Sequence, residues 1–175
     1  MASEVELKFL NINKQHINDL LTEIGAKKIY AHRLRSISFS APGYSSRGAN
    51  NKQFLRARQI GSDVYLTHKA PSISDAFKDR EETEIVTNYS FEQAIAFLQA
   101  IGFTPELETN KFRTHYERGS DHFEIDEHEG LPPYLEIETT SQERMKSVCK
   151  ELHLDYRHGK AETITYIYPE HFADK

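Results

Sequence analysis

The chain has 175 residues, a formal net charge of −5, 28% charged residues and one cysteine. That length suits one domain over 1–175 with a core of its own, and the acidic balance argues against a duplex nucleic-acid binder, which carries a basic excess. The lone Cys149 excludes an internal disulfide framework and a cysteine-rich zinc site, while no apolar run reaches membrane-span length and no leader pattern opens the chain, so a cytoplasmic protein with no membrane partner is expected.

In chain order, the first predicted element is a strand over 3–10. Val5, Leu7 and Phe9 share one face; Glu4, Glu6 and Lys8 share the other. Asn13 caps a helix whose apolar face is Ile17, Leu20, Leu21 and Ile24, ending at Gly25. Strands over 30–40, 53–60 and 63–70 follow, the last two joined by the turn Gly61-Ser62-Asp63. The polar stretch 42–53 reads as a loop, and Tyr44 to Lys52 within it as a lid or an inert surface segment. A strand over 80–87 precedes the capping box of Ser90 and Gln93, which opens a helix bearing Ala94, Ile95, Phe97, Leu98 and Ile101. Strands over 110–118, 121–128 and 133–139 are separated by Arg118-Gly119-Ser120-Asp121 and by Glu129-Gly130-Leu131-Pro132-Pro133. Thr140 and Glu143 open a last helix with Met145, Val148, Cys149 and Leu152 on its buried side.

The polar faces of these strands carry an unusual composition. Arg56 and Arg58 alternate with Leu55 and Ala57, and Lys69 and Thr67 with Leu66 and Val64. Glu82 and Glu84 oppose Ile85. Lys111 and Arg113 oppose Phe112, Glu124 and Asp126 oppose Phe123 and Ile125, and Glu136 and Glu138 oppose Leu135 and Ile137. A solvated sheet mixes in Ser, Thr, Asn and Gln, whereas here Arg, Lys, Asp and Glu dominate. Two architectures fit: a flat sheet with its charged face in water, or a sheet curled so that the charges line an interior under outward-facing helices. Closure removes exposed edges and suits about eight strands and three helices. The expected fold is therefore α+β, a closed antiparallel eight-stranded β-tunnel with a charged interior and flanking helices. Buried charges need partners. The mixture predicts a polyanion held by Lys8, Arg56, Arg58, Lys69, Lys111 and Arg113. Carboxylates without cysteine suit Mg²⁺ or Mn²⁺.

The segment Glu4-Val5-Glu6-Leu7-Lys8 resembles the E-x-E-x-K signature of the CYTH superfamily, the triphosphate tunnel metalloenzymes. The ordered set Leu55-Arg56-Ala57-Arg58, Leu66-Thr67-His68-Lys69, Arg80-Glu81-Glu82-Thr83-Glu84, Lys111-Phe112-Arg113, Phe123-Glu124-Ile125-Asp126 and Leu135-Glu136-Ile137-Glu138 extends the resemblance over residues 4–138. It implies that Lys8, Arg56, Arg58, Lys69 and Arg113 hold phosphates and that Glu4, Glu6, Glu136 and Glu138 bind metal. It further implies that Glu82, Glu84 and Asp126 bind a second metal or help position the nucleophile. The implied partner is a triphosphate-containing small molecule, and the chain is expected to act as a monomer or homodimer. Many members carry an aspartate and a tyrosine in the second strand, where this chain has Arg35-Ser36-Ile37-Ser38-Phe39; Arg33 and Arg35 there read as solvent-facing charges or added phosphate contacts. The segment Glu162-Thr163-Ile164-Thr165-Tyr166 departs as well, with no clear family basic anchor and Lys160 only a weak candidate for one.

Phosphoryl transfer needs mainly positioning and charge stabilisation. Hydrolysis of inorganic, thiamine or nucleoside triphosphate uses only the legible parts and is the leading expectation. A class IV adenylyl cyclase, forming cyclic AMP and pyrophosphate from ATP, is the alternative, and a non-catalytic polyphosphate or nucleotide sensor a third reading. Phe39, Phe54, Tyr65 and Tyr134 are read as packing residues first and as a base-stacking mouth second. The nine histidines show no tight ligand spacing, and no EF-hand, Walker A or nucleophile-elbow motif is present.

Overall fold

Alternation of apolar and polar residues becomes eight antiparallel strands wherever it was expected. The computed structural model describes residues 5–45, 53–71 and 81–173. The elements are β1 (Val5–Phe9), α1 (Lys14–Glu23), β2 (Lys27–Ser40), β3 (Phe54–Ile60), β4 (Asp63–Lys69), β5 (Glu82–Thr87), α2 (Phe91–Ala100), β6 (Thr104–Arg118), β7 (Asp121–Glu127), β8 (Tyr134–Thr139) and α3 (Gln142–Glu151), then the one-turn α4 (Ile164–Ile167). The hydrogen-bonded strand order is β1-β8-β7-β6-β2-β3-β4-β5. None of the helices described is long and apolar enough to cross a membrane.

The order is open, ending at β1 and β5, where closure was expected. Part of the outer edge of β1 is taken by the chain's later residues: Lys8 N–H donates to the Lys160 carbonyl at 2.8 Å, and Lys160 N–H to the Lys8 carbonyl at 2.9 Å. Lys160 thus meets Lys8 through its backbone, and its side chain is exposed.

The chain divides into two compact units. One comprises Met1–His32 and Lys111–Ile167; the other comprises Arg33–Asn110 and Tyr168–Lys175. In the first, Val5, Leu7 and Phe9 join Phe123, Ile125, Leu135 and Ile137 beneath Ile17, Leu20 and Leu21 of α1, Met145, Val148 and Cys149 of α3, and Leu152 just after it. Cys149 is buried packing, as expected. In the second, Ile37, Phe39, Ala57 and Val64 pack under Phe91, Ala94 and Leu98 of α2. In both units the apolar strand face lies under helices, leaving the other face to the charged residues. Burial of each large apolar side chain is worth roughly 1.5–3 kcal/mol, so this face fixes the register.

Helix starts follow from local hydrogen bonds. Asn13 accepts from His16 N–H, and Ser90 and Gln93 form a reciprocal capping box. The third cap is Ser141, whose hydroxyl accepts from Arg144 N–H at 3.1 Å, one residue beyond the expected Thr140. The Thr139 hydroxyl donates to the Ser141 carbonyl and holds this corner. Strands β2 and β6 begin earlier than expected, at Lys27 and Thr104. Of the 42–53 loop, residues 46–52 lie outside the described residues. Tyr44 packs edge-on against Phe103 at 5.1 Å.

Candidate functional site

Antiparallel register places the charged residues of the first unit in rows. Glu6 sits opposite Glu138 and Lys8 opposite Glu136. Glu124 sits opposite Glu136, and Asp126 opposite Tyr134; Arg113 sits opposite Asp126 and His115 opposite Glu124. One face of β1, β8, β7 and β6 therefore carries an interleaved set of cations and carboxylates. Glu4 lies outside the described residues.

Lys8 forms ion pairs with Glu6 and with Glu136, the latter at 3.0 Å. Burial works against its ammonium, but the Glu136 and Glu6 carboxylates outweigh it and raise its pKa above the ordinary lysine value. Asp126 is fully buried. It accepts two bonds from the Arg113 guanidinium, at 2.7 and 2.6 Å, one from Lys111 at 2.5 Å and one from the Tyr134 hydroxyl at 2.9 Å. Burial pushes the Asp126 carboxyl up, yet Arg113 and Lys111 hold it well below the usual carboxylate range. Glu136 behaves alike: burial raises it, and Lys8, Arg113 and Lys111 lower it further. Lys111 differs, because burial and the nearby Arg113 charge lower its pKa despite its contact with Asp126. Arg113 also contacts Glu124, and lies 3.6 Å from Glu136. Its fork geometry makes it the hub of the cluster.

These residues fit a hard divalent cation. Glu124, Asp126 and Glu136 bring carboxylate oxygens within 4.8 Å of one another. Directly opposed Glu6 and Glu138 add two like charges across one ladder, an arrangement that a cation relieves. Oxygen-only donors suit Mg²⁺ or Mn²⁺.

The second unit carries its own charged face. Register sets Arg56 opposite Thr67, Arg58 opposite Tyr65 and Phe54 opposite Lys69; Thr67 faces Glu84 and Lys69 faces Glu82. Arg58 pairs with Glu84 at 2.9 Å, and Lys69 with Glu82 at 2.5 Å. The Thr67 hydroxyl donates to the same Glu84 oxygen at 2.5 Å. The Arg56 guanidinium lies 5.7 Å from the Phe54 ring, and that of Arg58 lies 5.5 Å from the Tyr65 ring. Phe54 and Tyr65 are therefore on the charged face, while Phe39 is core. Arg35 lies on the helix side, bonded to Glu108 at 2.7 Å and Glu92 at 3.3 Å.

The structure thus groups Glu6, Lys8, Lys111, Arg113, Asp126, Glu136 and Glu138 on one face of the first unit. It groups Arg56, Arg58, Lys69, Glu82 and Glu84 on one face of the second. Reasoning from sequence passed over the Tyr134 hydroxyl, taken first as packing, and over His115, Glu117 and His122. Alternation was the available signal, since His115 and Glu117 continue the face of Lys111 and Arg113.

Known proteins resemble the chain along most of its length. A Methanocaldococcus jannaschii protein named "Putative adenylate cyclase" is 28% identical over 135 residues, 77% of this chain and 75% of that protein. A Vibrio parahaemolyticus structure, also named a "putative adenylate cyclase", is 19% identical with a TM-score of 0.76, covering 96% of this chain and 98% of its own. A Hippeastrum structure, named "Putative adenylyl cyclase" and described by "a dominant triphosphatase activity", is 17% identical with a TM-score of 0.61, covering 98% and 97% of the two chains. The CYTH domain model matches residues 2–167, and the chain belongs to that family.

Proposed function

We propose that this chain, acting as a single domain, hydrolyses a triphosphate substrate with the help of Mg²⁺ or Mn²⁺. The observation that carries the reading is the interleaved set of buried Lys8, Arg113 and Asp126 with half-buried Glu6, Lys111, Glu124 and Glu136 on one sheet face. Desolvating so many charges costs free energy even where they pair with one another. Inorganic, thiamine and nucleoside triphosphates share the chemistry this face recognises. Membership of the CYTH family supports a sheet curled into a tunnel around these charges.

In this reading Lys8, Lys111, Arg113, Arg56, Arg58 and Lys69 neutralise and orient phosphate oxygens. Glu6, Glu136 and Glu138, with Glu4, hold the metal, which when bound neutralises charge developing on phosphate oxygens. Asp126 keeps Arg113 and Lys111 aimed, and Glu82 and Glu84 orient the incoming nucleophile. Water adds to the terminal phosphorus, the bond to its bridging oxygen breaks, and orthophosphate leaves. Arginine forks match the charge spread over the transferring group.

The second reading is a cyclase, in which the ribose 3′-hydroxyl of ATP attacks the α-phosphorus and pyrophosphate leaves. Phe54 and Tyr65 on the charged face favour it, because they offer ring surface to an adenine, as do the names of two relatives. The deciding experiment offers tripolyphosphate, thiamine triphosphate and ATP separately, with Mg²⁺ and with Mn²⁺. Orthophosphate release supports the hydrolase. Cyclic AMP with pyrophosphate overturns it in favour of the cyclase, and tight binding without product makes the chain a sensor.

A further inference from the structure

Near the β6–β7 turn, outside the oxygen-rich cluster, lie side chains of different chemistry. The ring of His115 is stacked between Tyr30, at 5.0 Å and 15°, and His122, at 5.6 Å and 28°. With both ring faces covered, its in-plane nitrogens do the binding. Nε2 lies 3.0 Å from Glu117 Oε1, and Nδ1 lies 3.4 Å from Glu124 Oε1. His122 Nδ1 lies 3.7 Å from that same Glu117 oxygen, beyond hydrogen-bond reach. The three side chains offer ligand atoms within 4.8 Å of one another. Register explains the meeting: Glu117 faces His122 directly across the ladder, and His115 lies two residues along on the same face.

One carboxylate oxygen therefore sits between two imidazole nitrogens. A zinc ion with ligand bonds of about 2.0–2.1 Å sets its ligand atoms about 3.3 Å apart, close to the 3.0 and 3.7 Å found. Glu124, the carboxylate nearest His115 Nδ1 at 3.4 Å and not hydrogen-bonded to it, is the group placed to accept the Nδ1 proton once Nε2 holds an ion. Glu117 and His122 side chains are 41% and 38% exposed, so an ion and its water ligands can enter.

We infer that His115, Glu117 and His122 form a site for a borderline transition-metal dication, Zn²⁺ foremost. Two imidazoles select Zn²⁺ over Mg²⁺, which prefers oxygen donors and keeps its water. His122 faces Glu138 and His115 faces Glu124 across the ladders, so the site adjoins the oxygen cluster on the same sheet face; its test reads metal binding and does not use turnover.

The chelator-treated full chain is titrated with Zn²⁺ by calorimetry at about pH 8, where both imidazoles compete well against protons, in a large excess of Mg²⁺. Co²⁺ substitution gives a second readout in its visible absorption. One equivalent of Zn²⁺ is expected to bind despite the Mg²⁺. His122→Ala and Glu117→Gln, at partly exposed positions that tolerate change, should each weaken binding by at least about 10-fold, and Glu124→Gln by about 10–100-fold. Glu6→Gln should leave it intact. Absence of Zn²⁺ binding, its loss to excess Mg²⁺, or unchanged affinity in both His122→Ala and Glu117→Gln overturns the inference. So does loss of binding in Glu6→Gln alone, which would move the ion to the oxygen cluster.

Discussion

Replacing Asp126 with Asn removes one negative charge from the centre of the first unit's cluster while keeping the side chain's shape. Asp126 is the shared acceptor for Arg113, Lys111 and Tyr134. The asparagine amide accepts at one oxygen but turns a donor toward two cations. Removing one partner of a buried charge pair costs roughly 3–5 kcal/mol. Because Glu124 and Glu136 remain beside Arg113, about 3 kcal/mol is expected here. For a chain of this length that corresponds to a Tm lowered by about 6–12 °C. The pH dependence follows from the depressed carboxyl pKa of the folded state. Its stabilisation is fully present above the unfolded aspartate value of about 3.9 and is lost as pH falls through the lower folded value. Urea titrations of both proteins should therefore show a constant gap from neutral pH down to about 5, shrinking at more acid pH. An Asn variant as stable as the parent at neutral pH, or a gap that persists undiminished in acid, would refute the central role given to this carboxylate.

Glu136→Gln should lower metal-dependent turnover by about 100-fold or more, read as a Mg²⁺ titration of orthophosphate release, since a lost ligand costs more than a lost outer-shell partner. Arg58→Ala removes a charged donor worth about 1.5–3 kcal/mol, so the apparent affinity for tripolyphosphate should fall about 10–100-fold; an unchanged KM would remove Arg58 from the phosphate grip. Gly159→Ala should destabilise the first unit by about 1–3 kcal/mol in a urea titration, because its Cβ would lie 2.8 Å from Leu7 Cδ1 and 3.1 Å from Leu7 Cβ.

The strands and their two faces were legible because period-two alternation is a local property, and burial under helices enforces it. Val5, Leu7 and Phe9 pointed to the core as written, and the three helices began within one residue of their expected starts. What escaped had contrary local signals. The first residues of β6, Thr104-Pro105-Glu106, include a proline and read as loop, yet they fall in a strand. Lys27 and Lys28 concealed the start of β2 in the same way. Ser141 displaced Thr140 as the cap because the choice between adjacent hydroxyls depends on which one lies in reach of Arg144 N–H. The charged clusters were legible as faces but not as contacts. That Asp126 serves Arg113, Lys111 and Tyr134 at once depends on the register of β6, β7 and β8. The meeting of His115, Glu117 and His122 depends on the same ladder, which brings residues from two strands to one spot where linear spacing shows no ligand pattern.

The backbone clip between Lys8 and Lys160 bears on the order in which the molecule assembles during synthesis. β1 leaves the ribosome before the other strands described, yet its neighbour β8 and the residue on its other side come far later in the sequence. Until they emerge, an apolar strand with two unpaired edges waits in an unfinished chain. Long-range pairing of this kind slows folding and exposes the strand to wrong partners. Glu6 and Lys8, which alternate with the apolar residues of β1, act in that interval as its protection, keeping the nascent strand soluble before they take their places on the finished sheet face.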